Sequence, residues 1–286
     1  MSKKFLYGAA VQGIQSFIFQ TNELREIIGA SEMVEQICTT SFDEYVQTGE
    51  VLLRAAGNIK CVYSEQHECE KTVLEFPRKI MTFAPGITIS QAVEVYEKDE
   101  DYAIASQHLE QKLRQQRNKP MRSQTLGMLG CWRAVASGMP IVSVEKGQRL
   151  DAASKQKTEY CQEKSLCKKA FGIEVPAVKF PYDLKDITLH NDWIAIIHID
   201  GNGLGKVVQK IGEKKTDFKE FSINLNQATC TAAQETYQTL NETYHLDNLP
   251  KLPIRPVVLG GDDLTIICRG DLAIDYADTF MRYFEQ

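Results

Sequence analysis

Two acidic residues stand side by side behind two glycines, Gly260-Gly261-Asp262-Asp263, between the apolar runs Ile254 to Leu259 and Leu264 to Cys268. Paired glycines permit a tight turn, so the segment reads as a hairpin whose tip carries both carboxylates. A third acid, Asp200, closes the apolar run Ile194 to Ile199 and is followed by Gly201-Asn202-Gly203-Leu204-Gly205-Lys206. If that strand lies beside the hairpin, Asp200, Asp262 and Asp263 converge. Two like charges about 4 Å apart repel by roughly 4 kcal/mol at an effective dielectric near 20, and a proton or a bound cation relieves the repulsion. Mg2+ or Mn2+ suits such a site, since these hard ions take carboxylate and carbonyl oxygens and are completed by substrate phosphates. The chemistry indicated is metal-dependent transfer of a phosphoryl or nucleotidyl group. Gly201, Gly203 and Gly205 let backbone amides approach phosphates, and Lys206 adds a positive charge.

Simpler motifs do not account for these residues. The glycines of Gly201 to Lys206 miss the Rossmann spacing, and Val207 stands where a P-loop needs Ser or Thr. Asp200 to Gly205 begins like an EF-hand loop, but Leu204 replaces a ligand and Ile211 falls where the bidentate Glu belongs. A plain hairpin turn explains Gly260 to Asp263 taken alone. It does not explain a third acid at a strand end with a glycine turn behind it.

The elements that must position the acids can be read from periodicity. Phe5 to Val11 is a strand and Gln15 to about Tyr45 a helix. Val51 to Ala55 and Ile59 to Tyr63 flank a turn, Glu65 to about Met81 is helical, and Gly86 to Tyr96 is a strand. This β-α-β-β-α-β order is that of a ferredoxin-like unit. From Asp192 the order starts again: a strand from Trp193 to Ile199, a helix from about Thr216 to Tyr244, the acid hairpin, and a helix from Asp271 to Phe284. No closing strand follows before Gln286, so the second unit is expected to be truncated and the chain a piece of a longer protein. The halves form a weak repeat in which Ala10 aligns with Asp200, Gly57 with Asp262 and Asn58 with Asp263. One copy carries acids where the other does not. The expected fold class is α+β: two ferredoxin-like (βαββαβ) units, 1–97 and 191–286, joined by a mixed, mainly helical region over 98–190.

Composition excludes several classes of protein. With 33 Lys and Arg against 38 Asp and Glu, the net charge of −5 gives no global attraction to nucleic acid. An apolar share of 43% supports a sizeable core and rules out wholesale disorder. No apolar run reaches membrane-spanning length and no signal peptide is evident, so a cytoplasmic protein is expected. The eight cysteines form no Cys-x-x-Cys pair and read as reduced, mostly buried thiols. The basic runs at Lys112, Arg114, Arg117, Lys119 and Arg122, and at Lys164, Lys168 and Lys169, read as solvated helix faces rather than an RNA surface. Trp132 and Trp193 read as core, and His198 as a satisfied core histidine.

The segments Asp200 to Lys206 and Gly260 to Leu264 together resemble the second palm domain of the large polymerase-like subunit of type III CRISPR effector complexes. Tyr7-Gly8-Ala9-Ala10-Val11-Gln12-Gly13-Ile14-Gln15-Ser16-Phe17-Ile18, with Leu24-Arg25 and Ser31, is similar to that family's first, degenerate palm. The resemblance implies a cyclase in which ATP binds between the palms and the acidic palm joins it into cyclic oligoadenylates that signal viral infection. Asp200, Asp262 and Asp263 would hold Mg2+ or Mn2+, and Gly260 and Gly261 would let ATP lie close. Gly201, Asn202, Gly203, Gly205 and Lys206 would complete the nucleotide site, and Ser31 would line the opposing pocket. The implied partners are ATP and, through parts outside this chain, RNA and other effector subunits; a homodimer is left open. The sequence departs from the family in lacking the His-Asp pair of the often fused nuclease domain, a zinc-knuckle spacing between the palms, and the C-terminal helical domain. Two alternatives stay open. A diguanylate cyclase would use a similar palm, but its GGDEF turn is disfavoured by Asp263 and Leu264; a silent nucleotide-binding scaffold would keep the acids without turnover.

Overall fold

Short, largely apolar runs give antiparallel strands here, and apolar residues recurring at three and four give the helices that cover them. The computed structural model describes residues 3–55, 57–119, 130–145, 147–188, 193–211 and 214–285. The first half runs β1 (Lys4–Gln12), α1 (Ile14–Ile18), α2 (Leu24–Cys38), α3 (Thr40–Asp43), β2 (Glu50–Ala55), β3 (Asn58–Tyr63), α4 (Gln66–Phe83), β4 (Thr88–Tyr96) and α5 (Tyr102–Arg117). A hairpin of β5 (Ile141–Glu145) and β6 (Gln148–Asp151) follows, then α6 (Ala152–Tyr160), α7 (Ser165–Phe171) and α8 (Leu184–Ile187). The last part is β7 (Ile194–Ile199), α9 (Leu204–Ile211), α10 (Lys215–Tyr244), β8 (Ile254–Gly260), β9 (Asp263–Arg269) and α11 (Ala273–Phe284).

The strands form a mixed α and β architecture with antiparallel sheets. The first sheet has the order β2-β3-β1-β4 and the second the order β7-β9-β8. Replacing β1, β3 and β2 by β7, β9 and β8 turns one order into the other, without, among the described residues, the strand that β4 supplies. The registers agree as well. Ala10 pairs with Asn58 across β1 and β3, and Ile199 pairs with Leu264 across β7 and β9, which sets Asp200 opposite Asp263. Gly13 and Gly203, both at positive φ, stand immediately before the short helices α1 and α9.

Three clusters make the core. Tyr7, Ala9 and Val11 of β1 pack with α2 and α4 on one face of the first sheet. Leu6, Leu52 and Val62 pack on the other face against Tyr102, Leu109 and Leu113 of α5 and Phe218 of α10. The second sheet turns Ile254, Leu264 and Ile266 toward α7, α10 and α11. Its opposite face sends Val257 and Ile267 into the first cluster, so α2 lies between the sheets and is almost wholly buried.

Several sequence expectations are corrected. The helix expected from Gln15 to Tyr45 is three helices, broken before Leu24 and at Thr39, where φ −103° and ψ −101° leave the helical region. An unexpected helix, α9, follows the second glycine turn. Trp132 and Trp193 are 63% and 87% exposed rather than core, because Trp193 precedes the edge strand β7 and Trp132 lies in a loop stacked on Arg149. Among the described residues, strand β7 pairs on one side alone, and Ile194 and Ile196 are exposed on it. Seven of the eight cysteines are buried and Cys131 is exposed. Arg122, Gly127, His190 and Asp192 lie outside the described residues. No helix of the described residues is long and apolar enough to cross a membrane.

Candidate metal centre

The β8–β9 turn is as tight as the glycine pair suggests. Gly260 pairs with Asp263, leaving Gly261 and Asp262 as the two central residues. Gly261 has φ +62° and Asp262 is not at positive φ, the pattern of a II′ hairpin, which requires glycine at the first central position. The turn holds Asp262 and Asp263 half-buried, and Asp200, exposed at the end of β7, completes the group. Each acid offers an oxygen, and these oxygens all lie within 4.8 Å of one another.

Electrostatics reflect this crowding. Burial, then the charges of Asp262 and Asp200, then a hydrogen bond shared with Asp200, push the Asp263 carboxyl up from 3.8 to about 6, with the nearby His198 ring opposing. A group that resists ionising beside two carboxylates is what a divalent cation would relieve.

The predicted site residues are placed unequally. Gly201 lies hard against the turn: a Cβ there would stand 2.8 Å from Asp262 Cβ and 2.3 Å from Leu204 Cδ1. Gly203 needs its glycine for φ +76°, and Asn202 is exposed in the same turn. Gly205 and Lys206 lie on α9, and the Lys206 side chain lies outside the described residues. Gly260 is buried at the hairpin end. Ser31 is buried in α2, its hydroxyl donating to the Ile27 carbonyl at 2.8 Å. In the first sheet the corresponding turn is filled with hydrocarbon, since a Cβ on Gly57 would stand 2.4 Å from Ile14 Cδ1 and 3.2 Å from Val11 Cβ.

Three contacts that sequence reasoning missed fix the acid turn from outside. The Gly261 N–H donates to Asn226 Oδ1 at 3.2 Å, and the Thr229 hydroxyl lies 2.5 Å from the Gly261 carbonyl. Lys169 Nζ donates to the Leu259 carbonyl at 2.7 Å and pairs with Glu35 at 3.0 Å, so it is not part of a solvated face. The sequence signal is faint: Thr229 is a β-branched residue inside a long helix, where propensity does not favour it. His198 is exposed rather than core; its Nδ1 lies 2.8 Å from Thr265 Oγ1 on the face that carries Asp200 and Asp263. Beside the turn, a cavity of about 500 Å³ is lined by Glu35 of α2, Thr39 just past its end, Arg54 and Ala55 of β2, Lys169 of α7 and Asn226 of α10.

Comparison with solved structures finds a similar fold in chains of Csm1-Csm4 assemblies. The chain is similar to a chain of a Csm1-Csm4 cassette in complex with cA4 (15% identity, TM-score 0.61) and of one in complex with AMPPNP (14%, 0.61). It is equally similar to a chain of the Csm1-Csm4 subcomplex of the type III-A CRISPR-Csm interference complex (15%, 0.61). Each alignment covers 99% of this chain and 48% of the other, so the protein spans about half the length of the chains it matches. At this identity the likeness is one of fold. No family model and no curated protein matches the sequence.

Proposed function

We propose that the protein is a metal-dependent nucleotidyltransferase that binds ATP between two palm units and joins it into cyclic oligoadenylates in antiviral defence. Residues 1–97 form the degenerate palm, 98–190 the joining region and 191–286 the palm that carries the GGDD turn, in the cytoplasm and beside other effector subunits and RNA. The observation that carries this reading is the convergence of Asp200, Asp262 and Asp263 within 4.8 Å.

Three hard carboxylate oxygens fit Mg2+ or Mn2+ better than a soft or tetrahedral ion. When bound, such an ion supplies Lewis-acid neutralisation of phosphate charge. The chain's own groups do the rest. Asp200, Asp262 and Asp263 hold the charge in place, and Gly201 allows the Asp262 carboxylate to approach β7. Gly260 and Gly261 offer a backbone without side chains for a triphosphate to lie against, with the α9 amides and Lys206 close in sequence. The cavity between β2, α2, α7 and α10 is of a size to take a nucleoside, and its walls come from both halves of one chain, so the reading needs no second copy.

Calorimetric titration of ATP and GTP with Mg2+ or EDTA tests the proposal. The expected result is ATP binding that requires Mg2+ and is lost in Asp262→Ala/Asp263→Ala, with cyclic adenylates as products. Binding indifferent to EDTA and to the double substitution would overturn it.

A further inference from the structure

The tip of a two-residue hairpin ordinarily leaves its central peptide groups to water. At the β8–β9 turn, both backbone groups of Gly261 are instead turned toward α10. Its N–H meets Asn226 Oδ1 at 3.2 Å, and its carbonyl lies 2.5 Å from Thr229 Oγ1. Asn226 and Thr229 are three residues apart and therefore share one helix face. Thr229 is fully buried, and its hydroxyl has one proton to give. The competing acceptor within the helix, the Leu225 carbonyl, is farther away at 2.9 Å.

These contacts fall on the two peptide groups that flank Gly261, whose orientation decides where Asp262 points relative to Asp263. The β-ladder fixes the strands up to Gly260 and Asp263, but Gly261 carries no side chain to pack and would otherwise be free to rock. A rocking tip would change the carboxylate spacing, which a small, octahedrally demanding cation tolerates poorly. We infer that Asn226 and Thr229 are positioning residues that hold from α10 the peptide groups on either side of Gly261 and so set the carboxylate geometry of the metal centre. The inference rests on the cation reading given above and deepens it.

The test is Mn2+ binding to the 286-residue chain, read by calorimetry or electron paramagnetic resonance, with thermal unfolding as the check on folding. Thr229→Val keeps the shape and removes the hydroxyl, and a loss of Mn2+ affinity of about 10- to 100-fold is expected, the range found when partners of metal ligands are removed. Thr229→Ser, which restores the hydroxyl, should recover most of it, and Asn226→Ala should weaken binding on its own. Asn226→Ala decides the matter if Thr229→Val does not fold, because Asn226 is only half-buried. If Thr229→Val and Asn226→Ala both fold and bind Mn2+ like the parent, the inference is overturned and the cation reading stays intact. Binding by Thr229→Ser as weak as that by Thr229→Val would overturn it for Thr229. If the parent chain and Asp263→Asn bind Mn2+ equally weakly, the cation reading fails and the inference with it.

Discussion

Asp263 is the residue in which fold stability and chemistry oppose each other. Its carboxyl is pushed up to about 6 by burial and by two neighbouring acids, above the value of 3.8 that an unfolded chain would show. The folded state therefore holds more protons than the unfolded state between those values. It follows that stability falls as pH rises from about 4 through 6, the reverse of the usual carboxylate. Half-burial screens the repulsion, so Asp263→Asn should raise Tm by about 2–4 °C at pH 7, equivalent to roughly 1 kcal/mol, with the gain vanishing below about pH 4. Added Mn2+ should raise the Tm of the parent at pH 7 and leave that of the variant unmoved. A gain independent of pH would separate the substitution from proton uptake. Gly201 gives a second expectation: Gly201→Ala forces a methyl against Asp262 and Leu204, and Mn2+ affinity should fall about tenfold in calorimetry while the fold persists.

Among the elements, α2 carries the most, because both sheets pack on it. Glu32 of α2 and Arg255 of β8 are each 1% exposed and 3.8 Å apart, with Phe180 beneath the guanidinium and Ser165 and Leu166 donating to the carboxylate. Arg255 Nε and Nη1 have no hydrogen-bond partner among the described residues. Removing Glu32 alone strands a buried charge, so Glu32→Ala should lower stability by about 3–5 kcal/mol in urea unfolding. The double change Glu32→Leu/Arg255→Met should recover most of it. No sequence pattern announces this pair, because the two residues meet only where the second sheet lies on α2. Strand and helix bounds are legible where their periodicity is local: Ile59 to Tyr63 and Ile254 to Leu259 fall within β3 and β8. The acids are legible because the repeat gives each a counterpart, Ala10 for Asp200 and Asn58 for Asp263, and the two sheets pair these positions in the same way. What the sequence hides is facing. Ile194 to Ile199 is apolar almost throughout and gives no sign that β7 pairs on one side alone among the described residues, which is why Trp193 and His198 read as core.

At the scale of the whole molecule, cation and nucleotide are expected to be separable. The acids belong to the second sheet and its glycine turn, whereas the adjoining cavity draws its walls from α2, β2, α7 and α10. Ser222, on the α10 wall, is a place to fill it. Ser222→Trp should reduce ATP affinity at least about tenfold, roughly 1.4 kcal/mol, with Mn2+ affinity unchanged. Equal loss of both in calorimetry would mean that the cavity and the acids are one site.

Among the described residues β7 pairs on one side alone, and this bears on how the protein behaves in a tube. A strand with open N–H and C=O groups, two exposed isoleucines and a tryptophan 87% exposed beside it is a template for another strand. As concentration rises, light scattering should report growing aggregates of the 286-residue chain, and Ile196→Lys should suppress them by placing a charge on that row.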